Sequence, residues 1–283
     1  MFYSPLRYPG GKNKLAKFIS SICVENDIHG HYVEPYAGGA SVALFMLMEK
    51  KVSRITINDF DRSIYAFWHS VLNNTNKFCI KIEETEVNIE NWKIAREIQK
   101  NKKKAKLFEL GFSTFFLNRT NRSGIINAGV IGGLKQDGNY KLDCRFNKND
   151  LIKRIREIAK YKKNITLYGL DAVELVQKLQ EKSKESQTIF YFDPPYYLKG
   201  KSLYINHYNH DDHKIVSELI SSLRNVHWIV SYDNTPEIKT MYRIFRMKEY
   251  SFIHTAYKSK EGKEVLFFSR DLKLPNTFNP LGT

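Results

Sequence analysis

The sharpest chemical signal in the 283-residue sequence is Asp193-Pro194-Pro195-Tyr196. Two consecutive prolines fix the backbone and remove two N–H donors, while the carbonyl before each still accepts. Asp193 adds a carboxylate acceptor, and Tyr196 adds an aromatic face. The tetrapeptide follows Thr188-Ile-Phe-Tyr-Phe192, a short apolar run that reads as a buried strand. Ligands of open parallel sheets bind beyond the carboxyl ends of the strands. The combination describes a rigid, acceptor-rich pocket floor suited to a flat group bearing an amino function. The bland alternative is a stiff strand-ending turn, since turns favour Asp and Pro anyway.

Two glycine turns lie nearer the N-terminus. Gly10-Gly11-Lys12 is not a nucleotide P-loop, because Leu6 stands where the first glycine belongs and Asn13 follows the lysine. Gly38-Gly39 ends the segment Val33-Glu-Pro-Tyr-Ala-Gly-Gly39, where backbone can approach a ligand closely. This turn lacks the full dinucleotide fingerprint. His207, His210, Asp211, Asp212 and His213 superficially resemble a metal cluster. Their spacing suits helix capping better, and no metal is expected, since ligand identity alone is no coordination geometry.

These groups need elements to hold them. Asn13–Val24 has a helical stripe of Leu15, Phe18, Ile19 and Ile22, Tyr32-Val33 leads a short strand, and Ser41–Lys50 reads as a buried helix. Arg54–Asp59 alternates like a strand, and Asp61 can cap a helix over Ser63–Leu72. Two strand–turn–helix units in succession predict a parallel sheet with helical crossovers. From Asn73 to Asn147 the pattern changes. Lys77–Lys106 is polar and helical, with a solvated charge run at Lys100, Lys102, Lys103 and Lys104, and Leu107–Leu117 is strongly apolar. The stretch holding Gly124, Gly129, Gly132, Gly133 and Gly138 reads as a long mobile loop, a feature that is usually functional in compact domains. Order returns at Asp150 with a basic helix, a strand over 164–168, a helix from Asp171 to Glu181, the strand before Asp193, a helix over Asp212–Leu223 and a strand over His227–Tyr232. Phe252–Ala256 and Val265–Ser269 read as a C-terminal hairpin joined through Lys260-Glu-Gly262. The organisation expected is one α/β domain, 1–72 with 148–283, interrupted by an insertion over 73–147.

The chain carries 45 Lys and Arg against 30 Asp and Glu, a net +15, with 17 Tyr and 18 Phe. Cations for phosphate and aromatic faces for bases suit a nucleic-acid partner. The longest nearly pure apolar stretch, Ala40–Met48, is far short of the roughly 20 residues of a spanning helix, so no membrane role is expected. Met1-Phe-Tyr-Ser-Pro5 does not read as a signal peptide. Cys23, Cys79 and Cys144 are odd in number and far apart, which suits a cytoplasmic protein without a disulfide scaffold.

Asp193-Pro-Pro-Tyr196 resembles the catalytic motif of S-adenosylmethionine-dependent methyltransferases that modify the exocyclic amino group of adenine. Arg7-Tyr8-Pro9-Gly10-Gly11-Lys12, Val33–Gly39, Asn58-Asp59, Phe116-Leu-Asn-Arg-Thr120 and Lys263-Glu-Val-Leu266 resemble, in order, segments of the Dam-like branch of DNA adenine methyltransferases. The resemblance implies a Rossmann-like methyltransferase core with an inserted small, mainly helical DNA-recognition domain. It implies S-adenosylmethionine as cofactor and double-stranded DNA as partner, with a possible cognate restriction endonuclease and no obligate protein partner, in the cytoplasm beside the nucleoid. It places Asp193, Pro194 and Tyr196 in catalysis, and Tyr8, Lys12, Glu34, Tyr36, Gly38, Asp59, Asp171 and Asp193 around the cofactor. Lys12 would meet the cofactor's carboxylate. Asp59, 25 residues after Glu34, would accept from ribose hydroxyls, or else cap a helix. Asp171 would hold the cofactor's adenine, with capping the favoured alternative.

Under this reading the adenine amino group donates to Asp193 and to the Pro194 carbonyl, which frees its lone pair for in-line attack. Tyr196 stacks on the base, which must first leave the duplex. Arg7, Arg119 and Arg122 are the DNA-contact candidates, arginine being the commonest bidentate guanine reader. Tyr197–His210 reads as a lid over the pocket. Asn121-Arg-Ser-Gly-Ile-Ile-Asn127 and the glycines beyond it depart from the GATC-methylating members. Three rivals share features of the sequence. A ribosomal RNA adenine methyltransferase shares the tetrapeptide but is opposed by the large insert. An inactive DNA-binding module would not need Lys12, Asp59 and Asp193 together. A protein amide methyltransferase usually has Asn where Asp193 stands.

Overall fold

The computed structural model describes residues 3–7, 12–183, 187–198, 208–254, 260–276 and 280–281. The chain packs as two compact units, 12–58 with 170–283 and 1–11 with 59–169. In the first, the apolar runs become strands because both of their faces are covered. β1 (His31–Glu34) and β4 (Thr188–Phe192) are buried at every residue, and β2 (Arg54–Asn58) at all but the first. Such near-continuous burial is the mark of parallel strands flanked by helices. β5 (His227–Asp233), β6 (Arg246–His254) and β7 (Lys260–Phe268) follow.

The order within this unit is β2-β1-β4-β5-β7-β6. The first four strands are parallel, with Val33 opposite Thr56 on one side and Phe190 on the other, and Phe192 opposite Val230. β7 runs antiparallel to both neighbours, which sets Glu264 opposite Asp233 of β5 and Tyr250 of β6. The hairpin is therefore longer than the sequence predicts. Lys260-Glu-Gly262 lies within β7 and pairs with β6; Gly interrupts the apolar alternation without ending the ladder. Residues 255–259 lie outside the described residues. α1 (Ala16–Glu25) and α2 (Ser41–Met48) complete the N-terminal part of the unit. α2 is apolar all round, and Val42, Ala43, Leu44, Met46 and Leu47 are buried.

The other unit is mainly helical. Asp61 caps α3 (Arg62–Asn73) as expected, accepting from the Ser63 N–H at 2.8 Å. The polar helical stretch over Lys77–Lys106 is two helices, α4 (Thr75–Glu84) and α5 (Ile89–Lys100). The break has a local cause, because Asn88 caps α5 by accepting from the Asn91 N–H at 2.9 Å. α6 (Leu107–Thr120) is buried along most of its length, α7 (Lys148–Lys160) follows, and β3 is Ile165–Tyr168. Phe67 stacks on Phe115 at 6.1 Å, and Phe78 meets both edge-on. Each such ring stabilises the unit by about 1.5–3 kcal/mol through burial. The glycine-rich stretch is irregular but tied down. Asn121 bridges to Val130, and Gln136 bonds the carbonyls of Ile131 and Gly133. Among the described residues no helix is long and apolar enough to cross a membrane.

α3 and α6 meet at Gly111. A Cβ built there would lie 2.4 Å from the Ala66 carbonyl oxygen and 2.6 Å from Ser70 Oγ. Alanine at a helix interior normally gains about 1 kcal/mol over glycine. Overpacking costs about 1–3 kcal/mol, and a clash with backbone that cannot rotate away falls at the upper end. Gly111→Ala is therefore expected to lower stability by about 1–2 kcal/mol. Urea denaturation checks this; an unchanged or raised midpoint would show that the helices separate freely.

Candidate active site

Asp193 stands one residue past β4, so the parallel ladder itself carries its carboxylate to the strand's C-terminal end. Ser231 of β5 donates from Oγ to Asp193 Oδ1 at 2.7 Å, and the Tyr191 hydroxyl lies 2.9 Å from the same Ser231 oxygen. Asp233, closing β5, accepts from the backbone N–H groups of Tyr197 and Leu198 at 2.8 and 3.0 Å. The turn after Pro195 is thereby clamped to the neighbouring strand. Asp193 keeps 23 % of its side chain exposed, so a ligand can reach it. Burial raises its pKa to about 6; Lys12 opposes that shift and Glu264 adds to it.

Lys12 occupies the centre of this cluster. Its Nζ donates to Glu264 Oε1 at 2.6 Å and to the Tyr196 hydroxyl at 3.0 Å, and lies 3.4 Å from Asp193 Oδ1. Tyr196 and Tyr250 also donate to the two oxygens of Glu264. Burial alone would lower the Lys12 pKa, but Asp193 and Glu264 more than offset it and hold the ammonium well above its usual range. The ammonium is thus bonded to one carboxylate of the protein and lies beside a second one.

The glycine turn lies in the same unit. Glu34, at the end of β1, accepts from the Ala43 N–H at 2.9 Å and from Tyr32 at 3.1 Å. Burial pushes its pKa up to about 8. Gly38 adopts φ +47°, a left-handed conformation that costs glycine nothing. The Tyr36 hydroxyl lies 3.1 Å from that of Tyr208. Asp171 accepts from the Val173 N–H at 2.8 Å and so caps α8 (Ala172–Ser183), the alternative the sequence favoured. Asn209 and Asp212 form a reciprocal capping box on the helix His210–Ser222. His213 is buried beside the Tyr232 hydroxyl at 2.9 Å, and burial lowers its pKa to about 4. Tyr8, Gly10, Gly11, His207 and most of the Tyr197–His210 segment lie outside the described residues.

The remaining candidates sit in the helical unit. Asp59 accepts from the Asp61 N–H at 2.9 Å. Arg7 is held by its backbone: its N–H donates to Asn118 Oδ1, and its carbonyl accepts from Asn118 Nδ2, both at 2.7 Å. Its guanidinium reaches the Asn121 carbonyl at 3.3 Å. Arg119 donates from Nε to the Arg145 carbonyl at 2.7 Å. Burial, then the charges of Arg7 and Arg154, lower its pKa to about 10. Arg122 is exposed.

Sequence reasoning missed Ser231, Tyr250 and the role of Glu264. Glu264 did leave a trace, as the one acid heading the apolar run Val265–Phe268. An acid set against a buried apolar run needs a partner.

The sequence model of the D12 class of N6 adenine-specific DNA methyltransferases matches residues 8–256. The type II methyltransferase M.MjaIII of Methanocaldococcus jannaschii is 22 % identical over 205 residues, which cover 68 % of each chain. The mostly parallel sheet, the acceptor at the end of β4 and the glycine turn after β1 agree with that match. The chain belongs to the D12 class of N6 adenine-specific DNA methyltransferases.

Proposed function

We propose that the protein transfers a methyl group from S-adenosylmethionine to the exocyclic amino group of a flipped-out adenine at a specific site in duplex DNA. The observation that carries this reading is Asp193, a fixed but reachable carboxylate at the end of β4, oriented by Ser231. The charge of the site supports the cofactor. Glu34 and Asp193 are carboxyl groups within electrostatic reach of each other, and burial raises both in pKa. Such a donor set fits a cationic ligand, because a positive centre relieves the cost of ionising buried carboxyls. S-adenosylmethionine, when bound, supplies an electrophilic sulfonium methyl. Glu34, Tyr36 and the backbone at Gly38 would hold it. Asp59, Asp171 and Tyr8 keep a place there on the resemblance alone.

Asp193 and the Pro194 carbonyl accept hydrogen bonds from the adenine amino group and draw its nitrogen toward tetrahedral geometry. The freed lone pair then points at the methyl group. Asp193 need not be a strong base, since the nitrogen's proton becomes acidic only after transfer. Orientation supplies most of the remaining acceleration. We assign sequence reading to the insert over 73–147, with Arg122 foremost because it is exposed. Arg119, committed to a backbone carbonyl, suits phosphate positioning, which fixes register without specifying sequence. A role in restriction-modification beside a cognate endonuclease, in the cytoplasm at the nucleoid, follows from the same reading.

The test is transfer of labelled methyl to adenine in duplex DNA, with ribosomal RNA as the competing substrate. Methylation of RNA alone would overturn the proposal. Asp193→Ala is expected to lower turnover by at least about 10²–10³-fold, the scale for losing one preorganised polar group, while DNA affinity stays. Near wild-type turnover at saturating cofactor would remove Asp193 from the chemistry. The pH profile gives a second check. A protonated Asp193 is a poorer acceptor, so kcat/KM should fall as pH drops through about 6. A flat profile from pH 7 to 5 would separate Asp193's ionisation from catalysis. Arg122→Ala should lose about 1–3 kcal/mol on the cognate site and tolerate substitution at one base position. A loss uniform across singly substituted duplexes, with a salt slope lower by about one, would make it a phosphate contact instead.

A further inference from the structure

The buried cluster contains a carboxylate that the methyl-transfer reading leaves without a task. Glu264 lies on β7, is 2 % exposed, and is bonded on one oxygen by Lys12 and Tyr196 and on the other by Tyr250. A buried carboxylate of this kind is costly unless it is fully paired. Replacing such a group with apolar side chains is often neutral or stabilising, so stability alone is a weak reason for its presence. What Glu264 touches is more telling. Lys12 and Tyr196 are its partners, and Lys12 lies 3.4 Å from the Asp193 carboxylate. Tyr196 is three residues on from Asp193 and 3 % exposed, with its hydroxyl anchored between Lys12 and Glu264.

We propose that Glu264 is a positioning residue for methyl transfer: it holds the Lys12 ammonium and the Tyr196 hydroxyl so that Asp193 and the Tyr196 ring keep the geometry that receives the adenine. Lys12 then acts inside the protein, on Asp193 and Tyr196. The register explains why β7 is needed. Because it lies between β5 and β6, one residue of β7 can reach Tyr250 on the next strand and still meet Lys12 and Tyr196. This inference rests on the adenine-methylation reading, and the experiment below separates the two.

The variants are Glu264→Gln, which keeps shape and removes charge, and Tyr250→Phe, which removes one hydrogen bond from Glu264. Thermal melting checks that each is folded. The assay follows labelled methyl transfer to unmethylated genomic DNA, and calorimetry measures S-adenosylmethionine affinity. Glu264→Gln is expected to hold cofactor Kd within about twofold while kcat falls by about 100-fold, the scale of a misplacement near 1 Å. Tyr250→Phe should fall between it and wild type. If cofactor affinity drops in step with kcat/KM, Lys12 and Glu264 belong to cofactor binding and the proposal is wrong. Near wild-type kcat in Glu264→Gln overturns it as well.

A charge readout settles the point independently of the substrate. Among the described residues, the charged and titratable groups that bear on Asp193 are Lys12, Glu34, Tyr191, Tyr232 and Glu264. Glu264 is a carboxylate that raises the Asp193 pKa. Its removal should move the Asp193 carboxyl titration, followed by NMR in the free protein, to lower pH. An unmoved titration in folded Glu264→Gln would show that the two carboxylates are not coupled through Lys12. If wild-type protein fails to methylate DNA while this titration moves as expected, the functional reading fails and the positioning network stands.

Discussion

A lysine ammonium taken out of water must be given a compensating negative charge by the protein. At Lys12 that requirement is met by Glu264 at 2.6 Å and Asp193 at 3.4 Å, and much of the unit's architecture serves the arrangement. Asp193 has to stand at the end of β4, so the strand before it must be central and parallel. Glu264 has to arrive from another direction, so β7 must run antiparallel beside β5. A fully parallel continuation would require a crossover connection, whereas a hairpin brings β6 and β7 in together. The partly exposed acceptor and the buried one are thus delivered by strands of opposite sense.

The sequence made the first of these strands easy to read and the second hard. Asp193-Pro-Pro-Tyr196 announces itself because two prolines after a buried strand are rarely neutral. Asp61 and the strand patterns at Tyr32-Val33, Arg54–Asp59 and Thr188–Phe192 follow local rules of capping and burial, and the structure has a helix cap and three strands there. Glu264 obeys no local rule. Its partners are Lys12, Tyr196 and Tyr250, and only the first two belong to motifs with a recognisable spacing. The same holds for Ser231, an ordinary residue in a strand until the β4–β5 register sets it against Asp193. Long-range polar pairs are the part of a site that periodicity cannot announce.

The helical unit shows the converse difficulty. The glycine-rich stretch after α6 has little hydrophobic pattern, and so reads as mobile. Its order comes from side-chain amides bonding backbone. Asn118 grips both backbone groups of Arg7, and Asn121 Nδ2 donates to the carbonyls of Ile125 and Ile126. Gly124 completes the fit, because a Cβ there would fall 2.2 Å from the Arg7 carbonyl oxygen at a φ of +75°. An irregular segment with satisfied backbone groups needs no helix or strand to hold its shape.

The two units also use charge in opposite ways. Around Asp193, among the described residues, carboxyls outnumber the Lys12 ammonium, and burial raises the pKa values of Glu34 and Asp193. Around Arg119, among the described residues, the guanidiniums of Arg7, Arg145 and Arg154 stand within electrostatic reach, and Asp150 opposes them. Arg7, Arg119 and Arg154 each bond a backbone carbonyl, which satisfies donors without cancelling charge. The first arrangement favours a cation and an amino donor; the second favours a polyanion. A methyl transfer from a sulfonium to a base in DNA asks for both at once. Fields of opposite sign can coexist in one chain because each is desolvated locally, where nearby groups outweigh distant ones screened by salt over about 8–10 Å.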